Sequence, residues 1–456
     1  PAKQMSAPTS WLPPPTAAAA AGDTARWERL VSAFAAAWAS TDGQPLADRA
    51  LATLPYVPLF NNWRHVLDRR AVPPAAARAA VETMLSIVTT IPPGIALAPH
   101  VRWLALAAAH LRALRFRLDA AGLVLDWRSV QALVRGAGGL EAPPAYEGPV
   151  VSAQLRDGGL RLARAARRFY GPGAAAEVWA AAAPGLRADR LPEGAPWESL
   201  GWLALLFPAR AVASPHPADT AFPWGEVVAS WVTVHVDAVQ GSAWWDGLWA
   251  GLLARVAKHD AAGCVPWPAL GARLASRLAQ PAVPVPVGTA SADPPFSRPP
   301  PPRVGSLFGG EGGWSRPRGA AKLLAALAGT DGPGEGGEGG TPRTLRLLAL
   351  LAQYAHPSNS GRWSGALGDL LAALARHLSK RLTAEAVAAR GPHPPTRPLS
   401  PADAEALGSA IAGLAGAGLF SKDAGLAAAS ARALGEVAFW APGAALPLVA
   451  RRFEAS

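Results

Sequence analysis

The sequence predicts an all-α fold, an α-solenoid of helical pairs interrupted by a Pro/Gly-rich insertion. Ala, Leu and Arg dominate between clusters of Pro and Gly, and β-branched runs are short, which favours helix over strand. Apolar residues recur at helical spacing in one segment after another, separated by short breaks. The chain has 456 residues, half of them hydrophobic, which gives about three domain-sized units at roughly 150 residues each and enough apolar surface for a core.

Residues 1–24 are Pro- and Ala-rich with little periodicity and read as irregular. Trp27, Leu30, Val31, Phe34 and Trp38 then fall on one stripe, with Arg26, Glu28 and Arg29 outside it. A second pattern holds Leu46, Ala50, Leu51 and Leu54, and Pro55 and Pro58 bound a short link to the segment 63–67. Further helical patterns cover 75–90, 100–118, 160–169, 174–183, 197–206, 227–239, 244–259 and 270–278. From 281 to 343 the Pro runs and the Gly-Glu tract 331–340 predict a linker or loop insertion holding one short helix, 320–327. Helices resume at 344–354, 363–382, 401–413, 424–439 and 444–453. The predicted organisation is therefore an irregular segment 1–24, a helical array 25–280, the insertion 281–343 and a continuing array 344–456. No strict period is visible, so degenerate HEAT-like pairs of about 40 residues fit better than TPR or ankyrin arrays.

Composition narrows the chemistry. One cysteine, Cys264, excludes an intrachain disulfide and any multi-thiolate zinc site. Forty-three Lys and Arg against 32 Asp and Glu leave a charge of +11, spread along the chain, which favours acidic partners without naming one. The longest uncharged stretch, 83–101, is interrupted by Pro92, Pro93, Gly94 and Pro99 and reads as buried helix followed by loop, not a membrane span. The chain opens at Pro1 and ends directly after an apolar helix, as a piece of a longer protein would.

No catalytic constellation is present. The stretch 332–337 fits G-x-G-x-x-G in letters only, since no strand precedes it and its Glu would repel a pyrophosphate. The nine His lack ligand spacing, and Cys264 reads as a packed or incidental thiol. Arg161, Arg164 and Arg168 form a basic stripe, with Arg156 and Arg167 nearby. It reads first as a solvated helix face and second as a contact for an anion, phosphate-rich or on an acidic protein. The 18 Trp, several of them at helix starts, read as core packing before stacking platforms. His356, Pro357, Ser358, Asn359 and Trp363 read as a structural corner: Pro357 ends a helix, the polar pair bonds freed amides, and Trp363 opens the next helix.

The segment 354–363, set between Leu345-Arg346-Leu347-Leu348 and Leu370-Leu371, closely resembles part of the large single-chain HEAT-repeat proteasome activator, the family of proteasome activator complex subunit 4 and its bleomycin-sensitivity-linked fungal relatives. Arg167-Arg168-Phe169-Tyr170, the helix reaching Val178-Trp179, Leu205-Leu206-Phe207-Pro208, Trp244-Trp245-Asp246, Leu253-Ala254-Arg255-Val256, Leu419-Phe420-Ser421-Lys422 and Leu446-Pro447 follow in the family's order. The matches run from about residue 155 to the C-terminus and place the chain in the N-terminal part of such a protein.

The resemblance implies a non-enzymatic, ATP-independent activator of the nucleus and cytoplasm. It would cap the proteasome core particle and promote ubiquitin-independent degradation of peptides and of unstructured or acetylated proteins such as histones. Acetylated histones would be read by a C-terminal region that this sequence does not contain, and docking on the core particle would use a Tyr-containing tail that is also not in it. No cofactor is required; inositol phosphates are a ligand class the resemblance allows, with no Arg here transferable as their site. Neither a membrane nor sequence-specific nucleic acid is an expected partner. The alternative is a HEAT-type adaptor for another assembly, such as a nuclear transport factor.

Overall fold

The computed structural model describes residues 17–66, 72–137, 149–186, 195–212, 222–237, 243–260, 263–279, 316–329, 340–357, 363–389 and 398–454. The chain divides into two compact units, one ending at Gly171 and one running from Pro172 onward. Both are helical, and a single bridge, Leu125 with Tyr170, is the one strand-like pairing among the described residues.

The first unit holds α1 (Ala17–Ala39), α2 (Leu46–Thr53), α3 (Tyr56–Val66), α4 (Pro74–Thr90), α5 (Leu97–Ala113), α6 (Arg115–Ala120), α7 (Trp127–Ala137) and α8 (Pro149–Ala166), closed by a 3-10 turn at Arg167–Phe169. Helix α5 is central, packed on α4 and α8 and touched by α2 and α3. Its core is aromatic because the α1 stripe meets α3 and α5: Phe34 lies 4.9 Å from both Phe60 and Trp103, and Trp27 lies 5.3 Å from Phe60. Trp103 donates to the buried Thr53 hydroxyl at 3.0 Å, so the indole is sunk without leaving its N–H unpaired.

Three points of the sequence reading are corrected here. Residues 17–24 are helical rather than irregular, because alanine has the highest intrinsic helix propensity and the run continues directly into the helix that carries Trp27. Helix α7 was not anticipated, although Trp127, Val130 and Val134 are buried on one side and the Asp126 carboxylate accepts the N–H groups of Arg128 and Ser129. The predicted 100–118 helix also breaks at Leu114, where α5 gives way to the short α6.

The second unit contains α9 (Ala174–Ala182), α10 (Ala195–Leu206), α11 (Trp224–Asp237), α12 (Ala243–His259), α13 (Trp267–Ala279), α14 (Arg316–Leu327), α15 (Gly340–Leu351), α16 (Ser364–Ala389), α17 (Pro401–Gly418), α18 (Ala424–Ala438) and α19 (Pro442–Glu454). From α10 onward each helix packs on the one two places further along. Helices α10, α12, α14, α16 and α18 make one layer, and α11, α13, α15, α17 and α19 make the other. This alternation is the two-layer solenoid of HEAT-type pairs. Stripes at helical spacing produce it, since each helix has neighbours on two sides within its layer and a third across the layers. Leu367, Leu370, Leu371, Leu374 and Leu378 of α16 are all buried.

Within a layer the helices come very close. A Cβ placed on Gly319 would lie 3.1 Å from Gly247 Cα, and one on Gly368 would lie 2.9 Å from Ala429 Cβ, so both crossings depend on glycine. Arginines stitch the stack along its length. Arg255 donates to the Ala204 carbonyl at 2.6 Å, Arg343 to the Pro268 carbonyl at 2.6 Å, and Arg381 to the Ala325 and Ala328 carbonyls at 2.8 and 2.7 Å. The last of these satisfies orphan acceptors at the C-terminal end of α14.

That packing corrects the insertion. Helix α14 starts at Arg316 and is a full member of its layer, with Ala320, Ala321, Leu323, Leu324, Leu327 and Ala328 buried against α12 and α16. Helix α15 begins at Gly340 with Thr341 and Thr344 buried, so the array already includes 316–329 and 340–343. The remaining residues of 281–343, including the 332–337 glycine pattern, lie outside the described residues.

Candidate functional site

The residues singled out by sequence fall into two places, one in each unit. The basic stripe lies at the end of α8. Arg161 is paired with Asp157 one turn earlier at 2.5 Å, and Arg168 forks onto both oxygens of Asp119 in α6, its Nε lying 3.1 Å from each. Arg164, between them, has no carboxylate at salt-bridge distance among the described residues; burial, then the Arg161 charge, lowers its pKa against the pull of Asp157. Neighbouring Arg167 is more deeply set, and burial followed by repulsion from Arg164 pushes it down to about 10. Beside it, burial drives the Tyr170 phenol upward, and its hydroxyl has no hydrogen-bond partner among the described residues. Two of the three stripe arginines are thus committed to carboxylates of this chain.

The side chain of Arg168 reaches a place the sequence reading missed. Its guanidinium carbon lies 5.4 Å from the centroid of the Phe116 ring, and that of Arg115 lies 4.5 Å from the same ring. Phe116 is nonetheless 64% exposed. The signal was present: Leu114 and Leu118 are both buried, so a Phe midway between them on a short helix must point the other way.

The corner is half visible. A 3-10 turn, Ala352–Ala355, ends at His356 and Pro357, and Trp363 precedes α16, whose Leu367 N–H bonds the Trp363 carbonyl at 2.8 Å. The Trp363 indole is half-buried, donates to the Tyr354 carbonyl at 3.4 Å and meets the Tyr354 ring edge-on at 6.0 Å. Ser358 and Asn359 lie outside the described residues.

The other polar features are internal. The Asp260 carboxylate accepts from the Cys264 N–H at 2.8 Å, the Val265 N–H at 3.1 Å and the Trp267 indole at 3.0 Å, closing the turn into α13. The Cys264 thiol is exposed rather than packed. Buried Asp246 of α12 takes Arg277 of α13 at 2.9 Å, with His235 of α11 at 3.7 Å. Burial, then the Arg277 charge, pushes His235 down to about 3, so it is neutral. Most Trp described with a burial state are core: Trp27, Trp103, Trp231 and Trp249 are completely enclosed, while Trp179, Trp363 and Trp440 are partly exposed. Among the described residues no group of three His, Cys, Asp or Glu is placed to hold a metal ion, and no helix is long and apolar enough to cross a membrane.

These features define a HEAT-type helical-repeat scaffold, several of whose buried and part-buried polar groups join one helix to another. Residues 345–456 match the family described as proteasome activator complex subunit 4, mid HEAT repeats region. The matched stretch comprises most of α15 and all of α16, α17, α18 and α19, and the family it resembles is the one that the order of motifs had indicated. No curated protein matches the chain.

Proposed function

We propose that this chain forms part of the wall of an ATP-independent activator that caps the proteasome core particle and favours ubiquitin-independent degradation of peptides and unstructured or acetylated proteins, histones among them. The observation that carries the reading is the match of residues 345–456, which falls on the end of the stack where each helix packs on its next-but-one neighbour. A repeat scaffold works through binding energy spread over surface, so the chain performs no bond chemistry itself, and core-particle entry is gated by the shape of the cap. The reading places the protein in nucleus and cytoplasm.

The test is native purification. The protein, tagged at its own locus and isolated at low salt without ATP, brings down core-particle subunits, and the isolate hydrolyses short fluorogenic peptides in a reaction stopped by a core-particle inhibitor. Recovery of nuclear transport factors with no core particle would replace this reading with that of an adaptor for another assembly.

A further inference from the structure

We infer that the α5–α6 corner of the first unit is a docking surface for an acidic peptide segment carrying an aromatic or large aliphatic side chain. The inference is independent of the proteasome reading.

Phe116 and Val124 are each 64% exposed, in a unit whose other aromatic rings are largely buried. The segment after α8 connects them: Arg168 lies against the Phe116 ring, and Gly171 approaches Val124, with 3.3 Å between a Cβ built there and Val124 Cγ1. Gly122, at φ +62°, turns the chain between the two apolar residues, and the Leu125 N–H bonds the Phe169 carbonyl at 2.7 Å. The two apolar spots are therefore fixed by backbone, not carried on a loose loop.

Cations frame the aromatic ring. Arg115 and Arg168 both place guanidinium groups over it. Arg112 stands on the turn before, its Nε donating to the Ala108 carbonyl at 3.2 Å, and Arg115 donates to the Arg112 carbonyl at 3.4 Å. Arg168 has Asp119 as its counter-ion, whereas Arg112 and Arg115 have no carboxylate partner among the described residues. An exposed ring held between guanidiniums offers an apolar face beside two uncompensated charges. The complementary occupant carries carboxylates for the arginines and an apolar side chain for Phe116 and Val124. A bare polyphosphate would satisfy the charges but leave the apolar pair in water, and for that reason the peptide is the better fit.

The test uses the whole chain and a short fluorescein-labelled peptide rich in Glu with one Phe, followed by fluorescence anisotropy. Phe116→Ala should weaken binding about tenfold, equivalent to about 1.4 kcal/mol, and Arg115→Ala should do so similarly. Arg432→Ala, which removes an exposed charge from α18, should leave affinity within about twofold. Replacing Glu by Gln in the peptide should abolish binding, and replacing its Phe by Ala should cost about as much as Phe116→Ala. Because Phe116 is exposed, its variant should keep the wild-type circular dichroism and melting curve. Unchanged affinity in Phe116→Ala would overturn the proposal. So would inorganic tripolyphosphate binding as tightly as the peptide irrespective of residue 116, since the surface would then be a general anion patch.

Discussion

Replacing Gly368 with Ala reverses the usual sign of such a change. In an open helix interior Gly→Ala stabilises by about 0.5–1 kcal/mol, because alanine loses less backbone freedom on folding. Gly368 lies where α16 crosses α18, and the new methyl would sit 2.9 Å from Ala429 Cβ and 3.5 Å from Leu426 Cα. Neither atom rotates away, as one is a methyl on the backbone and the other is backbone itself, so α18 has to shift. Overpacking of this kind costs about 1–3 kcal/mol, and because neither contact can yield, the upper part of that range applies, so that after subtracting the helix-propensity gain the net loss is about 1–2 kcal/mol. Gly413, in the interior of α17 with nothing within 4 Å of its Cβ position, provides the control and should gain stability. A stacked array does not unfold as one two-state unit, so the assay is amide hydrogen exchange by mass spectrometry over α16 and α18. A loss of 1–2 kcal/mol accelerates exchange there roughly 5–30-fold, while Gly413→Ala slows exchange in α17. If Gly368→Ala slowed exchange as the control does, the close crossing would not be the determinant claimed.

Asp260→Ala strips three donors of their acceptor, two of them buried, and should cost about 1–3 kcal/mol, read as a lower melting temperature. Arg381→Ala frees the Ala325 and Ala328 carbonyls and the Glu385 carboxylate, so hydrogen exchange at the end of α14 should quicken while α10 and α12 are unaffected. His235, 1% exposed, has a folded pKa of about 3, below its unfolded value near 6.5, so the unfolded state binds the extra proton between those limits. Its contribution is complete above pH 6.5 and is lost as pH falls toward 3, at about 1.4 kcal/mol per unit. Amide hydrogen exchange over α11 and α12 from pH 7 to 5, corrected for the intrinsic pH dependence of exchange, should show that loss, and His235→Gln should flatten the slope if it folds with an unchanged circular dichroism spectrum.

Much of the helical array was legible because burial follows simple periodicity. Of the Trp27 stripe, Trp27, Val31, Phe34 and Trp38 are buried and Leu30 is partly so, and every leucine named in the α16 stripe is buried. Helix α14 was underread because composition averaged over its neighbours hid it. Pro317 is tolerated in a first turn, and Gly319, which looks like a breaker, is the residue that lets α14 lie against Gly247. The basic stripe was visible as spacing, but its meaning depended on partners in space. Asp119, which occupies Arg168, is 49 residues away in sequence, and Phe116 gains its two guanidiniums from α6 and the turn after α8. Periodicity identifies which side of a helix is apolar; it carries no information about which distant charge arrives at the other side.

The next-but-one packing from α10 to α19 also has a mechanical meaning. Each crossing transmits load to the following helix of its own layer, so a force applied at one end is shared along a series of contacts, as in a coil spring. Small tilts at successive crossings add together, and the array bends before any one interface separates. The stations differ in what they hold: at the α12–α14 and α16–α18 crossings a glycine meets backbone or a backbone methyl, with no rotatable side chain between the helices to yield. Bending is therefore concentrated at crossings cushioned by leucine, where side chains can change rotamer as the helices tilt.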